Sequence, residues 1–92
     1  MPRIASFDGL TVKIYFNDHP PPHIHVYAGR LRHPGVQAAR LSIDTGEIIA
    51  GKLPLGKGAT ARRWTQEHRE ALLADWQRAR LRLHPTGRYH KP

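Results

Sequence analysis

The hydrophobic period of this chain changes once, near residue 59, and that change dictates two layers. Upstream of it the apolar residues alternate. Leu10, Val12, Ile14 and Phe16 share one face, with Thr11, Lys13 and Tyr15 on the other, the period-two signature of a half-buried strand. A second alternation follows over residues 23–28, where Ile24, Val26 and Ala28 oppose His23, His25 and Tyr27. Residues 36–43 read as a third strand, weakened by Ala38 and Ala39, and Asp44-Thr45-Gly46 as the hairpin turn into a fourth over residues 47–53. Downstream, Trp64, His68, Leu72, Trp76, Ala79 and Leu83 fall at steps of three and four, which predicts one helix over about residues 59–83. Thr60 or Thr65 is the candidate cap at its start, and Pro85 with Gly87 the stop.

Strands first and a helix last, within 92 residues, make a single α+β domain: a small antiparallel sheet of about four strands packed against one long C-terminal helix. Its core runs from about residue 7 to 83, followed by a basic tail over residues 84–92. The chain has no cysteine, which removes disulfides, thiolate nucleophiles and Cys-based metal centres. Asp8 follows closely on the N-terminus and no long apolar run occurs, so neither a secretory leader nor a membrane span is expected, and the reading is a cytoplasmic protein.

Charge narrows the partners. Fifteen Lys and Arg oppose seven Asp and Glu, a formal net charge of +8, and eleven of the fifteen are arginine. The guanidinium fork matches phosphate and carboxylate, so the expected partners are nucleic acid or an acidic protein. Arg30, Arg32, Arg40, Arg62 and Arg63 are the candidate contacts. An arginine-rich surface without a dedicated partner is the plainer alternative.

Seven histidines are present, and three crowd into Asp18-His19-Pro20-Pro21-Pro22-His23-Ile24-His25. Imidazole titrates near neutral pH and is the commonest metal ligand. His23 and His25, two apart on a strand, leave the same face about 7 Å apart along the chain. Asp18 and His19, just before a stiff proline run, could fold over to complete a divalent-metal site with them, for an ion such as zinc or copper. Without metal, the same imidazoles suit general base and general acid in phosphodiester cleavage, with arginines steadying the developing charge. The bland alternative puts His23, His25 and Tyr27 on the solvent face of the sheet beside Tyr15 and Lys13. His68 reads either as a packed core residue or, if the helix crosses the end of the sheet near His25, as a further acid–base group.

Four pieces carry a family resemblance. They are Phe7-Asp8-Gly9 with Ile14-Tyr15, the Asp18-His19-x-Pro21-Pro22-His23-x-His25-Val26 core, Gly46-Glu47-Ile48 with Gly51-x-Leu53-Pro54, and Trp64-x-x-x-His68 with Trp76. Together they resemble a small prokaryotic family known as domain of unknown function 4160. Asp18, His19, His23, His25 and His68 match its polar positions, and Trp64 its helix start. Phe16 before Asn17 and the basic loop over residues 29–35 depart from its pattern. The resemblance implies the toxin half of a toxin–antitoxin module, neutralised by a small acidic antitoxin-like partner, with the biochemical activity itself unassigned. The expectation is therefore a basic protein acting on nucleic acid through His23, His25 and His68, a nuclease in its plainest form. The alternative is a non-catalytic DNA- or protein-binding module in which the histidines are structural or hold a stabilising metal.

Overall fold

The computed structural model describes residues 3–15, 19–29 and 36–83. Five strands come first: β1 (Arg3–Phe7), β2 (Leu10–Lys13), β3 (His23–Ala28), β4 (Gln37–Ser42) and β5 (Ile48–Gly51). Two helices follow, α1 (Lys57–Glu67) and α2 (Arg69–Arg80). The strands form one antiparallel meander in chain order, β1-β2-β3-β4-β5. The α+β class and the antiparallel sheet are as expected; the strand and helix counts are not.

The additional strand is β1. Phe7 pairs with Leu10 across a two-residue turn, and both turn residues, Asp8 and Gly9, have positive φ. Type I′ turns demand that geometry, and Asp-Gly is among the sequences that supply it most readily. The turn makes Arg3–Phe7 a partner of β2 although its own alternation is weak. Ala5 and Phe7 face the core opposite Val12 and Leu10, while Ser6 faces outward opposite Thr11.

The core lies on one side of the sheet. Leu10, Val12, Ile14, Ile24, Val26, Ala39, Leu41 and Ile43 are buried there, together with Ala61, Trp64, Leu72, Trp76 and Ala79 from the helices. Trp64 stacks on Phe7 with ring centroids 5.1 Å apart, so α1 is pinned over the β1–β2 end. Thr65 is fully buried, and its hydroxyl donates to the Ala61 carbonyl at 2.7 Å, which satisfies the one polar atom that its burial would strand.

The expected single helix is two because it is interrupted at His68, whose φ is −112°. The His68 ring Nδ1–H and its backbone N–H both donate to the Trp64 carbonyl, at 2.8 and 3.1 Å. Side chains that bond back to the i−4 carbonyl, here at Thr65 and again at His68, loosen and bend a helix. The start also differs: α1 begins at Lys57 behind Gly56, and Thr60 lies inside the first turn, its hydroxyl donating to the Gly56 carbonyl. Thr60 and Thr65 are therefore not caps. At the far end Arg82 takes a positive φ, the Leu83 N–H donates to Arg78 O at 2.8 Å and the Arg82 N–H to Ala79 O at 3.0 Å. This Schellman closure ends α2 before Leu83, which is 44% exposed rather than core. Pro85, Gly87 and the rest of the tail lie outside the described residues. No described helix is long and apolar enough to cross a membrane.

Arg69 ties the start of α2 to the β4–β5 turn. Its guanidinium donates to the Asp44 carboxylate and, through Nε, to the Asp44 carbonyl at 3.2 Å. Both side chains are about half exposed or more, so solvent screens the pair. A double-mutant cycle on Arg69→Ala and Asp44→Ala should give a coupling of about 0.2–1 kcal/mol that shrinks in high salt. A coupling well above that, insensitive to salt, would show that the contact is a structural clasp.

Candidate functional site: the outward face of the sheet

Strand alternation sends the chemistry-bearing residues to the side of the sheet away from the helices. With Val12, Ile24, Val26 and Leu41 turned to the core, the opposite face presents Thr11 and Lys13 from β2, His23, His25 and Tyr27 from β3, and Ala38, Arg40 and Ser42 from β4. The register brings them into rows. Lys13 and Arg40 flank His25, Thr11 and Ala38 flank Tyr27, and Ser42 stands opposite His23. Directly opposed side chains in a sheet lie close enough to interact, so His25 sits between two cations.

The rings on this face touch one another. Tyr15 meets His25 edge-on at a centroid separation of 4.4 Å, and His25 lies 5.1 Å from His23. The Tyr15 and Tyr27 hydroxyls are hydrogen-bonded to each other, and Lys13 Nζ stands 5.6 Å over the Tyr27 ring, within cation–π range. The two histidines differ in access. His23 is 4% exposed, and its Nδ1–H donates to the Pro21 carbonyl at 2.7 Å. A carbonyl only accepts, so the neutral His23 ring keeps its lone pair on Nε2. His25 is half-buried and is the more accessible imidazole of the pair. The Pro20–Pro21 peptide bond ahead of them is cis.

Small residues open a trough beside the rings. His25, Tyr27, Ala38, Ala39, Arg40, Ala50 and Gly51 line this open depression of about 360 Å³. Among the described residues the charge on this face is of one sign. The described acids stand elsewhere: Asp8 in the β1–β2 turn, Asp44 and Glu47 between β4 and β5, and Glu67, Glu70 and Asp75 on or beside the helices.

Of the residues singled out from the sequence, His23, His25 and Arg40 are brought together here. His68 is not on this face: it lies at the α1–α2 junction, its ring 4.5 Å from that of Trp64 in the helix layer. Arg62 and Arg63 are exposed on α1, with Arg62 3.7 Å from Glu47. His19 is exposed just ahead of the prolines. Asp18, Arg30 and Arg32 lie outside the described residues. Among the described residues no group of three or more His, Asp or Glu side chains is placed to hold a metal ion; Asp18, one of the four ligands expected with His19, His23 and His25, is not among them. Ala38 and Ala50 also line the trough and were not among the expected site residues; Ala50 stands opposite Arg40 rather than Ala38, so only the register brings the two small side chains to one place.

No curated protein and no solved structure matches the chain significantly. The family described as a domain of unknown function (DUF4160) matches over residues 9–77, which takes in β2 to β5, the histidine pair and most of both helices, and the chain belongs to that family.

Proposed function

We propose that this chain is the toxin-like component of a prokaryotic, cytoplasmic toxin–antitoxin module, and that it acts on nucleic acid with the outward face of its sheet. The observation that carries the nucleic-acid reading is the face itself: Lys13, Arg40, His23, His25, Tyr15 and Tyr27 in adjoining rows with no acid among the described residues there. Phosphate contacts position such a ligand and depend on salt. The toxin reading draws on the family resemblance, and the net charge of +8 suits neutralisation by an acidic partner.

RNA cleavage is the simplest chemistry for this arrangement. An imidazole accepts the proton of the 2′-hydroxyl, the 2′-oxygen attacks phosphorus, and the bond to the 5′-oxygen breaks as a second acid delivers a proton to it. The products are a cyclic phosphate and a free 5′-hydroxyl, with no protein nucleophile required. His25 is the accessible base, and Lys13 and Arg40 on either side would stabilise the developing charge. Incubation of the purified protein with RNA and with DNA, with and without chelator, tests this. Cleavage of RNA alone, unaffected by chelator, is the expected result; intact substrate in every condition from folded protein would remove the enzyme.

One observation favours a second reading. His23 is buried and tied to the Pro21 carbonyl, which suits a residue that shapes the proline turn rather than one that meets a substrate. In that case the face binds nucleic acid without cutting it. Both readings share one expectation. Lys13→Ala and Arg40→Ala should each reduce the slope of log affinity against log salt, for a single strand, by about 0.7. Unchanged slopes would place the phosphates elsewhere.

A further inference from the structure

We propose that the trough beside Tyr27 takes one unpaired base, so that the ligand of this face is a single strand rather than a duplex. The inference rests on the nucleic-acid reading above and adds to it the form of the strand. The trough is lined by the rings of Tyr27 and His25, by the small residues Ala38, Ala39, Ala50 and Gly51, and by Arg40. Its volume of about 360 Å³ is at the small end of ligand sites, the scale of one flat ring with its sugar and far below that of a helical groove. Aromatic rings with a cation beside them are the pattern that holds single strands, since every base offers a π face and every nucleotide a phosphate. A duplex has its base faces already stacked and offers these rings nothing.

Charge complementarity separates this occupant from a second copy of the chain. Two copies would bring net charges of +8 together across faces whose ionic side chains, among the described residues, are cationic. A strand brings one negative charge per nucleotide to Lys13 and Arg40. The small residues are the part of the site that can be changed without altering charge. Ala38 is exposed and stands opposite Tyr27, so a larger side chain there projects into the trough and not into the core.

The test uses the full chain and three end-labelled DNA 12-mers, which lack the 2′-hydroxyl and so stay intact under the chemistry proposed above. One is single-stranded, one is paired into a duplex, and one is single-stranded with its central nucleotides abasic. Fluorescence anisotropy reads the affinity of each. The intact single strand should bind about tenfold or more tighter than either of the others, the loss expected when one or two stacked bases are removed. Ala38→Leu should bring the intact strand down to the abasic level and leave the abasic strand unchanged. Equal affinity for intact and abasic strands overturns the base site while the nucleic-acid reading stands, as does an Ala38→Leu variant that binds like the parent. Preference for the duplex overturns it too. Binding to none of the three removes both the base site and the reading on which it rests. The comparison of intact with abasic strands needs no variant, so a poorly folded Ala38→Leu would not blunt the test.

Discussion

Gly51→Ala should lower the melting temperature by about 8–40 °C, and Gly29→Ala by much less. Both glycines have positive φ, +76° and +97°, so alanine at either site bears the backbone cost of a left-handed conformation, about 1–2 kcal/mol. Space separates them. A Cβ at Gly29 would meet nothing within 4 Å, whereas one at Gly51 would overlap the Ala38 carbonyl oxygen and stand 3.0 Å from Ala39 Cα. These neighbours are backbone of β4, and the same Ala38 carbonyl accepts the Lys52 N–H at 3.2 Å. Relief therefore means moving β5 away from β4 and weakening that bond. Forcing extra atoms into a packed site costs about 1–3 kcal/mol more, for a total of about 2–5 kcal/mol, and each kcal/mol is worth about 4–8 °C in a domain of this size. Thermal unfolding followed by circular dichroism reads the difference. Equal losses for the two variants would show that the close approach of β5 to Ala38 is not what demands glycine.

Much of this architecture was legible in the sequence because alternation and helical spacing are direct records of which side chains face a core. Leu10, Val12 and Ile14, then Ile24, Val26 and Ala28, are buried as their alternation requires. So are Trp64, Leu72, Trp76 and Ala79 on the helical stripe. β1 escaped because its evidence is a turn rather than a pattern: Asp8-Gly9 pairs Phe7 with Leu10, and only the turn chemistry announces it. The break at His68 escaped because the apolar spacing runs straight through it. At the interruption the His68 side chain bonds back to the Trp64 carbonyl, and periodicity is blind to such bonds. The fourth expected strand, over residues 47–53, is shorter for a backbone reason. β5 stops at Gly51, where the backbone leaves the extended region.

The site was legible in part, for the same physical reason. Two residues apart on a strand means one shared face, and His23 and His25 do share one, 5.1 Å between rings. What a single strand cannot announce is its neighbours. The placement of Lys13 and Arg40 on either side of His25 is a matter of register across three strands. His68 shows the converse. Its spacing allowed either core or site, and the structure places it against Trp64 in the helix layer.

The two histidines, alike in sequence, should separate sharply on substitution. His25→Ala removes the accessible imidazole from between Lys13 and Arg40 and should cut the turnover of a single-stranded RNA substrate by about 10²–10⁴, the range typical of a lost general acid or base. Its stability should change little, because the ring is half-buried on the outward face and packs edge-on against Tyr15. His23→Ala removes a ring that is 4% exposed and a hydrogen bond of 2.7 Å to the Pro21 carbonyl. That bond is worth about 0.5–1.5 kcal/mol, and the space vacated by the ring adds to the loss, so the melting temperature should fall by about 4–15 °C. Strand affinity at a temperature where the variant is folded should persist. Single-turnover cleavage, anisotropy and a melting curve on each variant resolve the roles. If His23→Ala abolishes cleavage at full stability while His25→Ala leaves it intact, the working base is the buried ring, and the proline turn must open to expose it. If both variants cleave like the parent, the pair does no acid–base chemistry and the face is a binding surface.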